Sequence, residues 1–175
     1  MSRKAGIEKN DLAQLVVCGM LIALDVVLTR IGSINLWDRR IGFSFVAVAV
    51  AAYLYGPLGG ALVHGLADVI GALLFPTGAY FPGFTVTAAA IGAIFGFCFY
   101  CNTKLWRLTV GVVSAQLLCS IVLNTLWISI TNHAPFMALL PGRLLQAAVM
   151  TPVQLVMIPL VLKALERGVT PFLKR

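Results

Sequence analysis

Between Leu108 and Ile130 the chain carries no charged side chain at all. Five more apolar segments, Leu12 to Ile31, Ile41 to Tyr55, Leu58 to Leu74, Phe84 to Tyr100 and Leu144 to Leu165, follow the same pattern with few interruptions. A helix crosses the hydrocarbon core of a bilayer in roughly 17–25 apolar residues, and in lipid each backbone N–H and C=O must be bonded within the segment itself. The segments therefore predict an all-α integral membrane protein with six transmembrane helices, residues 1–175 forming a single membrane domain. Ile41 to Tyr55 is short for a span and has to borrow flanking residues or lie in a protected place.

Composition removes the main competitors. The chain is 60% hydrophobic and 11% charged, whereas soluble domains carry about a quarter charged residues. The polar start from Met1 to Asp11 leads into an apolar run without a small-residue cleavage site. That run is longer than the roughly 7–15 residue core of a signal peptide, so a first spanning helix is expected there. A net charge of +7 raises nucleic acid as a partner, but the basic residues sit at segment ends and form no stripe.

The basic residues sort by side. Arg3, Lys4, Lys9, Lys104, Arg107, Lys163, Arg167, Lys174 and Arg175 fall on one side, and Arg30, Arg39, Arg40 and Arg143 on the other. The positive-inside tendency then puts both termini in the cytoplasm. The loops Ser33 to Arg40, Phe75 to Gly83 and Thr131 to Arg143 face outward, while the inward links, Gly56-Pro57 and Cys101 to Arg107, are brief. Long loops on one side suggest an outward-facing receptor surface, and four arginines there ask for an anionic ligand.

The most informative stretch is Gly65 to Phe84. Asp68 lies inside an apolar helix that ends in the turn Phe75-Pro76-Thr77-Gly78-Ala79-Tyr80-Phe81-Pro82-Gly83-Phe84. Proline fixes φ and glycine admits positive φ, so the turn has a definite shape, and Phe75, Tyr80, Phe81 and Phe84 make it an aromatic wall. Ionisable groups within spans are costly and face an interior or a cavity; Asp25, His64 and Asp68 are of this kind. His64 and Asp68, four apart, share a helix face, where they can satisfy each other or serve a ligand.

Counting about 1.5 Å of rise per residue puts Asp68 near mid-membrane, Asp25, Asn124 and Trp127 in the outer half, and Arg30 and Arg143 at the outer edge. Phe84 and Thr85 open the fourth span at that level, at a helix N-terminus that favours acceptor groups. These residues can converge on one pocket. The competing readings are an interfacial belt for Trp127 and snorkelling for the arginines.

Small residues recur at four-residue spacing, as at Gly19 and Ala23, Ala47 and Ala51, and Ala61 and Gly65. Such pairs let backbones approach within the chain, or let the first helix dock on another membrane subunit. Cys18, Cys98, Cys101 and Cys119 include one CxxC without a second pair or a nearby histidine, which reads as inert thiols and no metal site. No G-x-x-x-x-G-K-[ST], G-x-S-x-G or H-E-x-x-H occurs, so the chain is expected neither to hydrolyse ATP nor to be an enzyme.

The motif LADVIGALLFPTGAYFPGFT at Leu66 to Thr85, with NTLW at Asn124 to Trp127, ALLPGRL at Ala138 to Leu144 and LTRIGSINL at Leu28 to Leu36, closely resembles the folate branch of the substrate-binding S components of energy-coupling factor (ECF) vitamin transporters. The resemblance spans nearly the whole chain. It implies a six-helix bundle in a bacterial cell membrane, with an outward-facing pocket gated by the first and third external loops. It also implies high-affinity capture of folate and delivery through a transmembrane coupling subunit and two cytoplasmic ATPases. The chain would then need no cofactor of its own, ATP being used by those partners, and Gly19 and Ala23 would meet the coupling subunit. Another vitamin, such as pantothenate or a pterin or pyrimidine precursor, is the alternative ligand; a small membrane-embedded enzyme is the alternative class.

Folate suits the residues. A carboxylate, Asp68 or Asp25, can accept the paired N–H donors of a pterin edge, and Asn124 can meet its amide-like side. Aromatic rings from the Phe75 to Phe84 turn and Trp127 can sandwich the ring, and Arg30, Arg143, Arg39 or Arg40 can grip the glutamate carboxylates bidentately.

Overall fold

The computed structural model describes residues 11–30, 34–36, 39–76, 80–101, 103–133 and 135–173. Helix α1 (Asp11–Arg30) leads into a small antiparallel hairpin, β1 (Ile34–Leu36) and β2 (Arg39–Ile41), in which Asn35 pairs with Arg40. Helices α2 (Phe45–Leu74), α3 (Pro82–Phe99), α4 (Leu105–Ser114), α5 (Asn124–Asn132) and α6 (Phe136–Leu173) follow. A π-helical segment, Ala115–Leu123, joins α4 to α5 in one continuous rod.

The expectation of six separate spans needs correction. The described residues form five helical rods, and four of them are long and apolar enough to cross a membrane: Phe45–Leu74, Pro82–Phe99, Leu105–Asn132 and Phe136–Arg167. The expected second and third spans run on without a loop as α2, divided at the Gly56-Pro57 link expected between them. Gly56 alone leaves helical geometry, at φ 71° and ψ −159°, a region open to glycine and closed to residues with a Cβ. Pro57, whose missing N–H is harmless at a helix start, begins the second arm.

The break reverses the chain. Ala52 Cβ lies 3.3 Å from where a Gly60 Cβ would be, a proximity that residues eight apart on a straight helix cannot have. Ala51 and Val63 pack together against Leu21 for the same reason. The second arm then lies on α3 with backbones nearly touching: a Cβ at Gly92 would strike the Gly60 carbonyl, and one at Gly96 would strike Pro57. In lipid, where helices are not driven together by exclusion from water, such close backbone approach is a main source of association.

Two boundaries also shift. The expected second span begins at Phe45, not Ile41, because Arg39–Ile41 is taken by β2. The expected loop Thr131 to Arg143 is largely helix: α5 runs to Asn132, His133 caps it in the left-handed conformation (φ 52°), and α6 starts at Phe136. Pro141, the sixth residue of α6, gives the helix no N–H at that position.

The core gathers Phe45, Val48 and Ala52 of α2, Phe95 and Phe99 of α3, Leu108 and Val112 of α4, and Ile158 and Leu162 of α6. Phe95 and Phe99 stack obliquely, with centroids 4.6 Å apart. Phe45, Val48 and Phe95 of this core also line a cavity between the helices.

Candidate functional site

The cavity has a volume of about 630 Å³, within the range of about 300–1,000 Å³ usual for small-molecule sites. Every long helical rod contributes to its wall. The first rod supplies Thr29 and Arg30, α2 supplies His64 and Asp68, the turn before α3 supplies Tyr80 and Phe81, and α3 supplies Phe84, Thr87 and Ile91. Gln116 and Ser120 of the π-helical segment, Asn124 of α5, and Arg143, Gln146 and Gln154 of α6 complete it.

Asp68 is the carboxylate of the wall. Its Oδ2 accepts a 2.8 Å hydrogen bond from Thr85 Oγ1, which in turn lies 2.9 Å from the Tyr80 hydroxyl. The contact ties the second arm of α2 to the first turn of α3 across the aromatic turn. It also occupies only part of the carboxylate's capacity, since an ionised carboxylate has about four acceptor positions.

The anticipated pairing of His64 with Asp68 does not form. His64 Nδ1 instead meets Asp25 Oδ2 at 2.7 Å, and Thr29 Oγ1 donates to the other Asp25 oxygen at 3.2 Å. Asp25 is fully buried behind the wall and is not part of it, while His64 is. The reason is tertiary: the reversal at Gly56 brings the second arm of α2 alongside α1, and a buried carboxylate must be paired.

The other expected residues divide similarly. Arg30 and Arg143 both reach the cavity. The Arg30 Nη1 donates to the Phe75 carbonyl at 3.3 Å, and the Arg143 Nη1 to Gln146 Oε1 at 3.1 Å. Asn124, Tyr80, Phe81 and Phe84 line the wall, whereas Phe75 is exposed and contributes its carbonyl. Trp127 stands behind the wall: its indole N–H donates to Thr87 Oγ1 at 2.9 Å, and its ring lies 5.4 Å from that of Phe81, which it buttresses. Thr85 acts on the wall through Asp68. Arg39 and Arg40 are described in backbone only, and Thr77, Gly78 and Ala79 of the aromatic turn lie outside the described residues. Gly19 and Ala23 do not line the cavity; both are on the exposed side of α1, where nothing lies within 4 Å of a Gly19 Cβ.

Sequence reasoning missed the polar floor. Gln116 Nε2 donates to Gln154 Oε1 at 3.2 Å, both side chains being buried. The signal available was two glutamines in otherwise apolar segments. Gln116 and Ser120 of the π-helical segment and Asn124, which follows it, are spaced four apart and all line the cavity; π-helical turns occur often at functional sites.

A helical membrane protein with a polar and aromatic cavity of this size belongs to the class that holds a small molecule within the bilayer. Residues 13–170 match the family model of the ECF transporter, substrate-specific component, and the chain belongs to that family. It is similar to two curated folate transporters named FolT. The one from Clostridium novyi (strain NT) is 35% identical over 147 residues, 82% of this chain and 84% of that protein. The one from Leuconostoc mesenteroides subsp. mesenteroides is 33% identical over 153 residues, 83% of this chain and 82% of that protein. A crystal structure of FolT bound with folic acid matches the fold with a TM-score of 0.79 at 30% identity, covering 83% of this chain and 89% of that one. The chain is thus a multi-pass protein of the cell membrane, in a family of transporter components and not of enzymes.

Proposed function

We propose that this chain is the folate-binding S component of an ECF-type vitamin uptake transporter. The observation that carries the reading is the likeness to FolT bound with folic acid, joined to a cavity that sets a carboxylate, aromatic rings and two arginines around one space. Folate is a flat heterocycle joined to a dicarboxylate. Asp68 accepts from the pterin N–H edge, Tyr80, Phe81 and Phe84 enclose the ring, Asn124 meets its amide-like side, and Arg30 and Arg143 hold the glutamate. Arg39 and Arg40, on the hairpin between α1 and α2, are further candidates for the carboxylates.

The whole chain acts as one membrane unit with both termini in the cytoplasm. The two arms of α2, counted separately with α1, α3, the Leu105–Asn132 rod and α6, make six crossings, and the cavity opens outward at the end bearing Arg30 and Arg143. This orientation is supported by the basic residues Lys104, Arg107, Lys163 and Arg167 at the opposite end. Energy comes from outside the chain: a membrane coupling subunit docks on α1 at Gly19 and Ala23, and cytoplasmic ATPases drive it.

The test is isothermal titration of the purified chain with folic acid and with pteroate, which lacks the glutamate. Tight one-to-one binding of folic acid, weakened for pteroate, supports the reading; no heat from folded protein with either ligand would overturn it.

A further inference from the structure

The Asp25–His64 pair is built like a device for fixing one proton on one atom. Asp25 is fully buried on α1, and its carboxylate is contacted by His64 Nδ1 at 2.7 Å and by the Thr29 hydroxyl at 3.2 Å. His64 alone of the pair lines the cavity. Among the described residues none bonds its Nε2, which lies on the ring edge away from Asp25.

Charge balance sets the state of that atom. A net-neutral pair holds two protons: one between Asp25 and Nδ1, wherever along that bond it rests, and one on Nε2. Removing the second proton leaves a net negative charge on a fully buried carboxylate, which is costly. Among the described residues, the other charged groups that line the cavity are Asp68 on the same helix, Arg30 on α1 and Arg143 on α6. Asp68 disfavours a negative pair beside it, while the two arginines face the ligand space. His64 therefore presents an N–H donor to the cavity, one helical turn from the acceptor Asp68, with Cβ atoms about 5–6 Å apart.

A donor beside an acceptor is complementary to one edge of a 2-amino-4-oxo ring. We propose that His64, held by Asp25, reads the 4-oxo group of the ligand's pterin. Its Nε2–H donates to one lone pair of that oxygen, the other being left to Asn124, while Asp68 accepts from the neighbouring ring N–H and 2-amino group. Asp25 is the positioning residue, and His64 sets specificity against rings bearing an amino group at the 4-position, which would bring a donor against a donor. The inference rests on the folate reading above.

The test is isothermal titration of the full chain with folic acid and with aminopterin, its 4-amino counterpart, for the native protein, His64→Leu and His64→Gln. His64→Leu removes the donor. His64→Gln fills similar space with an amide that can turn either way, so it keeps binding and loses discrimination. In both variants the ratio of folic acid to aminopterin affinity is expected to fall about tenfold or more. Equal weakening of both ligands, or an unchanged ratio, overturns the proposal and leaves the folate reading standing. If folded native protein binds neither ligand, both fall. Should His64→Leu not fold, the ratio in His64→Gln alone decides.

Discussion

Arg30 lies across Gly71: its Nε sits 2.8 Å from where a Gly71 Cβ would be, and its Nη1 reaches the Phe75 carbonyl at 3.3 Å. The absent side chain at Gly71 lets α1 and α2 share this space and aims the guanidinium along the end of α2.

Gly71→Ala is expected to be accepted by the helix, since alanine is favoured there by about 1 kcal/mol, while pushing the flexible Arg30 head out of place. Folic acid affinity should fall about tenfold, with pteroate much less affected. Titration of both ligands checks this; equal losses would remove Arg30 from the glutamate end.

Asp68→Asn should weaken folic acid and pteroate by the same factor, because the change is felt at the pterin they share. Loss of a charge-assisted hydrogen bond corresponds to about 1.5–3 kcal/mol. Thr85→Val, which removes the hydroxyl donating to Asp68, should give a smaller loss in the same ratio.

Gly92→Ala is expected to be among the most damaging single-methyl changes in the chain, as the new Cβ would meet Gly60 backbone and Ala61 N at 2.8 Å. Backbone cannot step aside as a side chain can, so the cost is at least about 1–3 kcal/mol. Gly19→Ala, which meets nothing within 4 Å, is the control. The thermal midpoint in detergent should drop for the first and hold for the second.

At the end away from the cavity, Glu166 of α6 accepts hydrogen bonds from the Tyr53 hydroxyl at 3.1 Å and from Thr103 Oγ1 at 3.1 Å. It thereby ties together the first arm of α2, the link before α4 and α6. Tyr53→Phe should lower stability by about 1–2 kcal/mol and leave folic acid affinity unchanged. A change in affinity would show that the two ends of the bundle are coupled.

What could be read from the residues alone was whatever depends on local pattern. The apolar segments announced a helical membrane protein, Pro82 and Phe75-Pro76 marked the turn before α3, and polar or charged groups within apolar runs or at their outer ends pointed to Asp68, Asn124, Arg30 and Arg143, all of which reach one cavity. Tertiary structure decided the partners. His64 and Asp68 are neighbours by helical spacing, yet His64 turns to Asp25, thirty-nine positions away, because the positive φ at Gly56 folds α2 back beside α1. Trp127 carries a polar atom at the right depth, but Thr87 takes it. Gln116 meets Gln154 of α6, a partner on another helix that no helical period announces. Helical spacing says which side chains share a face; only the packing of one face on another says what each meets there.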